Sequence, residues 1–266
     1  MSKTILITGS TDGIGLATAK ALIELGHDVL IHGRNKEKLA ATKKELSEIN
    51  NQVNIFAYAA DLSDIKAVRT LAADIKQTHQ QIDVLINNAG VFVVPNKVTE
   101  SGLDVRFVVN TIAPYLLTKL LLPVMTESGR VVNLSSAAQA PIDPVELTSS
   151  SALSDGEVYA KSKLALTMWS FHLAHLMGQG GPLVVAVNPA SLIGTKMVSQ
   201  AYGVEGKSLK TGADILVKSA LSETFSDANG KYFDNDRGQF SLPHPDANNL
   251  KKTTQLIQVL DEILAE

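Results

Sequence analysis

The chain of 266 residues has no cysteine. A disulfide framework, a thiolate metal site and a cysteine nucleophile are excluded together. It also lacks an excess of charge: 19% of residues are charged and the formal net charge is −3. No long-range field therefore favours nucleic acid or an anionic membrane. Long apolar runs are missing too. Thr4-Ile5-Leu6-Ile7 is too short for a signal-peptide core, and no cleavage site follows it. Ala113–Met125 is broken by Thr118, Lys119 and Pro123 and falls short of the ~20 apolar residues that span a bilayer. No solenoid repeat and no Gly/Ser- or Pro-rich linker divides the sequence. These absences lead to the expectation of one soluble, cytoplasmic domain over residues 1–266, without nucleic-acid or membrane partners.

What is present is a 45% apolar chain, enough for a sizeable core, in which short apolar runs alternate with longer amphipathic ones. Strands are expected at Thr4–Thr8, Val29–His32, Val53–Ala57, Val84–Asn87, Gly129–Leu134 and Leu183–Val187. Helices are expected at Ile14–Leu25, Lys36–Ile49, Asp64–Thr78, within Leu103–Met125, and at Val158–Met177, Lys210–Leu221 and Leu250–Leu264. The strands are β-branched and continuously apolar, which means burial on both faces. The alternation predicts an α/β, doubly wound Rossmann fold: a parallel sheet of about seven strands with helices on both faces. Ala140–Glu157 and Ser226–Asn249 read as loops.

The first strand runs into Thr8-Gly9-Ser10-Thr11-Asp12-Gly13-Ile14-Gly15 and then a helix. Glycines let the chain turn sharply and bring its backbone against a pyrophosphate. The helix start adds free N–H groups and a positive dipole end. The second strand ends His32-Gly33-Arg34, with no carboxylate for a ribose 2′-OH but a guanidinium suited to a 2′-phosphate. NADP(H) is therefore expected, with NAD(H) as the alternative. Asp61-Leu62 follows the third strand. Asp61 either accepts the adenine amino group or belongs to the start of the next helix. Asn87-Asn88-Ala89-Gly90 ends the fourth strand with small residues and amides, suited to a passing cofactor or to a plain turn.

Tyr159 and Lys163 are four apart on one helix and share a face. A free phenol with pKa ~10 is a poor base at neutral pH, and a nearby ammonium favours its ionised form. Lysine thus supplies what a tyrosine general acid/base lacks. Ser135 and Ser136 end the fifth strand, where a hydroxyl can bind a substrate oxygen. His172 and His175 share the tyrosine helix, yet no third metal ligand lies near, so packing or surface roles are expected. That helix is apolar almost all round, from Leu164 to Leu176. Either a second copy of the chain buries it, as a homodimer or homotetramer, or the chain buries it itself.

The ordered set of Gly9, Gly13, Gly15, Asp61, Asn87-Asn88-Ala89-Gly90, Asn110, Ser136, Tyr159 and Lys163 resembles the short-chain dehydrogenase/reductase family. The likeness runs from Thr4 to about Met197. The resemblance implies a hydride-transferring oxidoreductase of a carbonyl/alcohol pair. Tyr159 would be the acid/base and Lys163 would tune it and hold the ribose. Ser136 would orient the substrate oxygen, with Ser135 as the alternative, and Asn110 would complete a water relay to Lys163. Pro189, Leu192 and Thr195 would line the nicotinamide. Two departures stand out. Ser136 and Tyr159 are 23 positions apart, with Pro141–Glu157 expected as a loop at the substrate mouth. The usual Pro-Gly after the sixth strand is Pro189-Ala190. The long spacing and Gly230-Lys231-Tyr232-Phe233 resemble the retinol-dehydrogenase-like branch. A non-catalytic cofactor sensor on the same fold and a carbon–carbon double-bond reductase remain the alternatives.

Overall fold

A computed structural model describes residues 2–178 and 180–265. The strands are β1 (Thr4–Ile7), β2 (Asp28–Gly33), β3 (Ile55–Ala59), β4 (Ile82–Asn87), β5 (Met125–Leu134), β6 (Leu183–Asn188), β7 (Lys231–Asp234) and β8 (Gln239–Ser241). Among the described residues they form one eight-stranded sheet of order β3-β2-β1-β4-β5-β6-β7-β8. Every pairing is parallel except β7 with β8. The chain winds outward from β1 to β3, crosses back, and winds outward again from β4. The crevice at that reversal, outside the carboxyl ends of β1 and β4, is where such sheets bind ligands.

Alternation along each strand feeds two cores. In β1, Leu6 points into one, under α3 (Ile65–Thr78), α5 (Ala113–Leu121), α6 (Asp155–Met177) and α9 (Leu250–Ala265). Ile5 and Ile7 point into the other, under α1 (Gly13–Glu24), α2 (Lys36–Ser47) and α8 (Leu209–Leu221). This is the doubly wound Rossmann architecture, with one strand more than the sequence led us to expect. The extra pairing comes from Ser226–Asn249, which is a hairpin and not a loop. β7 offers only Tyr232 and Phe233 to the interior, and β8 has three residues, so neither shows a period.

The apolar stretch after Leu103 also differs from a single helix. It consists of α4 (Val105–Phe107), a π-helical turn at Val108–Ile112, α5 and a 3₁₀ turn at Leu122–Val124. Val105–Val124 is long and apolar enough to cross a membrane, but most of it lies buried inside the protein. β5 begins at Met125, ahead of Gly129, through a pairing with Ile82 that a bulge separates from the rest.

A chain of buried amides and hydroxyls runs along one face of the sheet. The Asn87 amide donates to Asn133 Oδ1 (2.8 Å) and Thr118 Oγ1 (3.0 Å), and the Asn133 amide donates to Ser170 Oγ (2.8 Å). It joins β4, β5, α5 and α6.

α6 starts at Asp155, earlier than expected, because Ser154 and Glu157 form a capping box. Most of its apolar girth is buried within the chain: Leu164, Met168 and Trp169 are fully covered and α9 packs along it, while Leu176 near its end is exposed. Tyr115 Oη and Lys119 Nζ of α5 both bond Asp261 of α9, at 3.0 and 2.7 Å. Burial of α6 therefore requires no second copy of the chain.

Candidate active site

The site begins at the turn between β1 and α1. Gly9 and Gly13 adopt φ of +65° and +54°, a region that side chains disfavour. A Cβ on Gly15 would lie 2.4 Å from the Gly9 carbonyl oxygen and 2.5 Å from Asn88 Nδ2. The Asn88 amide donates to the Thr8 and Gly9 carbonyls, and Thr8 Oγ1 accepts from the Asn88 and Ala89 N–H groups. The end of β4 is thus stitched to the glycine turn. The first helical bond runs from Leu16 N to the Asp12 carbonyl. By helix geometry the Ile14 and Gly15 N–H groups are left for an anion.

Ser10 does not face this crevice. It is fully buried and its hydroxyl exchanges hydrogen bonds with the His32 backbone. His32 itself carries no expectation from sequence, yet it holds the turn. Its Nδ1 accepts from Gly9 N at 3.1 Å, which leaves the proton on Nε2, 3.2 Å from the Ala60 carbonyl oxygen. Burial brings its pKa down to about 4 against the pull of that carbonyl.

A cleft of about 500 Å³ opens outside the carboxyl ends of the strands. Gly9, Thr11, Asp12, Gly13, Ile14 and Gly15 form one end, with exposed Arg34 at the rim. A Cβ on Gly33 would meet the Thr11 methyl at 2.6 Å, so an acidic residue there would displace Thr11. Asp61 and Leu62 also line the cleft; Asp61 Oδ1 accepts from Ser63 N and Oγ, while Asp64 is the N-cap of α3. Ala89 and Gly90 line the middle, and Pro189, Leu192 and Thr195 the far wall. Two lysines that the sequence did not single out, Lys38 and Lys196, each pair with Asp12 at 2.7 Å. Lys196 first and then Lys38 bring the Asp12 carboxyl down to about 2. A larger groove of about 1120 Å³ lies at the opposite, amino-terminal edge of β5 and β6, away from this constellation.

Tyr159, Lys163, Ser135 and Ser136 line the same cleft as the glycine turn. Lys163 Nζ donates to the Leu134 carbonyl (2.7 Å) and sits 5.6 Å from the centre of the Tyr159 ring. Burial pushes Tyr159 up to about 12, and the Ser136 hydroxyl counters part of that. Burial alone pulls Lys163 down to about 8. The expected lowering of Tyr159 by Lys163 is not found: burial, with Tyr202 adding to it, raises the phenol, and burial also opposes the charge on Lys163. Of the two serines, Ser135 is committed inward, bonding Thr167 Oγ1 at 2.7 Å. Ser136 is the one beside Tyr159. Its carbonyl accepts from Tyr232 Oη at 3.0 Å, which gives the Gly230–Phe233 segment a place in the site.

Asn110 lies in the π-helical turn and is buried. Its side chain bonds both polar atoms of the Val91 backbone and Ser162 Oγ, so it braces the loop after β4. Phe92 of that loop packs on Tyr159 with ring centres 4.7 Å apart, and Tyr202 of α7 (Lys196–Tyr202) packs on Phe92. Pro141–Glu157 does not supply the mouth. Ile142 and Leu147 are buried in the core, and among the described residues the cleft takes its walls elsewhere.

The start of α6 is held by charge. Arg106, fully buried, donates to both oxygens of buried Asp104 and reaches Asp155, which also pairs with Lys97. Tyr159 follows one turn later. His172 and His175 line the distant groove; no metal-binding group of three residues occurs among the described residues.

Known proteins resemble this chain in sequence and fold. A family described as short chain dehydrogenase matches residues 3–203. A polyprenol dehydrogenase of Homo sapiens is 39% identical over 191 residues, covering 68% of this chain but only 57% of that protein, so the chain spans little more than half that relative's length. Retinol dehydrogenase 12 of Bos taurus is 32% identical, with 98% of this chain and 86% of that protein covered. Among solved structures, an uncharacterised protein from Mycobacterium paratuberculosis superposes with a TM-score of 0.81 at 26% identity, covering 99% of this chain and 93% of that one. An angucycline C-6 ketoreductase with bound NADP gives 0.71 at 25% identity, covering 88% and 93%. On these matches the chain belongs to the short-chain dehydrogenase family, in its retinol-dehydrogenase-like branch, whose members are NAD(P)-dependent oxidoreductases of alcohol and carbonyl groups.

Proposed function

We propose that the protein moves hydride between NADP(H) and a carbonyl/alcohol substrate, with Tyr159 as general acid/base. One observation carries this: Tyr159, Lys163 and Ser136 share a single cleft with an anion-ready glycine turn. The cradle fits a dinucleotide, since side chains at Gly9, Gly13 or Gly15 would be strained or would strike backbone. When bound, the cofactor supplies or accepts the hydride at its nicotinamide ring. In the reducing direction Tyr159 Oη gives its proton to the substrate oxygen as the carbonyl carbon gains hydride. In the oxidising direction it takes that proton back. Ser136 Oγ holds the same oxygen and favours the developing charge. Lys163 remains an ammonium at neutral pH and steadies the phenolate that proton donation leaves.

Arg34, with Lys38 near it on α2, supports NADP(H) over NAD(H). Phe92, Leu192, Val198 and Tyr202 make the mouth apolar, which favours an apolar alcohol or aldehyde, in keeping with relatives named for retinol and polyprenol. Burial of most of Val105–Val124 in the core argues against that segment spanning a bilayer; a chain retained in the membrane pellet after lysis would overturn the expectation of a membrane-free protein.

The test is a panel of aldehydes, ketones and alcohols with both cofactors. Tyr159→Phe is expected to lose at least about 100-fold in kcat while NADPH binding stays near normal. Arg34→Ala is expected to raise KM for NADPH far more than for NADH. Retained turnover in the first variant, or equal effects in the second, would sink the corresponding assignment.

A further inference from the structure

The turn after β6 is held in an unfavourable shape. Ala190 has φ +116° and Leu192 φ +55°, although neither is glycine. Both line the cleft, between Pro189 and Thr195. Such residues persist only where their surroundings over-determine them.

The three residues around the end of β7 supply that constraint. Asn235 N donates to the Asn188 carbonyl at 3.1 Å, and Asn235 Nδ2 donates to the Pro189 carbonyl at 2.9 Å. The Asn188 amide donates to Asp234 Oδ1 (2.9 Å) and Asp236 Oδ2 (3.1 Å). Both Asp236 oxygens accept from Ser191 N, at 3.0 and 2.9 Å, and Oδ2 also accepts from Ser191 Oγ. Lys207 Nζ closes the set at 3.0 Å from Asp236, and its backbone pairs with Leu192 and Gly194 on the return from α7. Burial opposes the Asp236 charge, yet Ser191, Lys207 and Asn188 hold it well below the usual carboxylate range. One carboxylate thus grips the residue between the two strained positions and the base of the segment carrying α7.

We propose that Asp236 is a positioning residue for the nicotinamide end of the cleft, acting through Ser191 to keep Ala190 and Leu192 in their left-handed conformations. The inference rests on the cofactor assignment above. Asp236 itself bonds Ser191, Asn188 and Lys207 and touches neither the glycine turn nor Arg34, which lie at the adenosine end of the cleft.

The experiment compares NADPH with 2′,5′-ADP, which carries the adenosine end and no nicotinamide, by fluorescence and calorimetric titration. Asp236→Ala is expected to weaken NADPH roughly tenfold, about the equivalent of one strained residue released. Its affinity for 2′,5′-ADP should stay within about twofold of the parent, an additivity-scale difference. Ala190→Gly relieves the strain that the clamp opposes, so the Asp236→Ala effect should shrink in that background. Equal weakening of both ligands, or an undiminished effect in the Ala190→Gly background, would overturn the positioning role. Unchanged NADPH affinity in Asp236→Ala would overturn it as well, with the cofactor assignment intact. A parent protein that binds neither ligand would bring down both.

Discussion

His32 shows how one side chain can set a site without touching a substrate. It joins the glycine turn to the end of β3 and is 3% exposed. Its folded pKa of about 4 lies below the ordinary 6.5, so the unfolded chain takes up the proton first as pH falls. The stability it protects is complete above pH 6.5 and drains away between 6.5 and 4, reaching about 3 kcal/mol at the lower end. Urea denaturation at pH 7 and pH 4.5 is expected to show a smaller acid loss for His32→Gln than for the parent. An identical loss would place the acid sensitivity elsewhere. Nothing in the sequence marked this histidine, because its partners are backbone atoms of two other strands. The glycines, Arg34, Tyr159 and Lys163, which line one cleft, could be singled out because their neighbours in sequence define their context. Ser10 was misleading for the same reason: its position in the turn is right, but its hydroxyl turns to β2.

At the scale of elements, sequence periodicity found the long pieces and missed the short ones. β1, β2, β4 and β6 were recognisable as continuous apolar runs. β7 and β8 were not, since a pair at the sheet edge needs few apolar residues. The π-helical turn at Val108–Ile112 has no periodic signature either; the bonds from Asn110 to Val91 and Ser162 that accompany it are tertiary. α6 gets its place from the buried Arg106–Asp104–Asp155 cluster. Arg106→Met would fill the space but leave Asp104 charged and unpaired in the interior. A loss of about 3–5 kcal/mol is expected in chemical denaturation, together with lower activity as Tyr159 loses its anchored helix start. A loss below about 1 kcal/mol, the range of a surface pair, would mean the cluster is solvated in solution.

For the whole molecule, the question raised by an all-apolar α6 is answered within the chain. α9 lies over it, fastened to α5 through Asp261, and covers its middle, with the end around His172–Leu176 left open. Static light scattering is therefore expected to give the mass of a single chain at micromolar concentration. A stable dimer would require another face. The sequence left both outcomes open because periodicity reports that a helix is covered, never by what.

The amide chain from Thr118 through Asn87 and Asn133 to Ser170 has a consequence for how the site is assembled. Asn87 and Asn133 are direct partners in the β4–β5 ladder. Sliding one strand by a single residue would turn its amide to the opposite side of the sheet and leave the other without its match in hydrocarbon. An off-register sheet is thus rejected at its centre before it can be completed. Asn88 and Ser136 lie just beyond these two amides, so the same check that admits the correct sheet also brings the glycine turn and Ser136 to a common level.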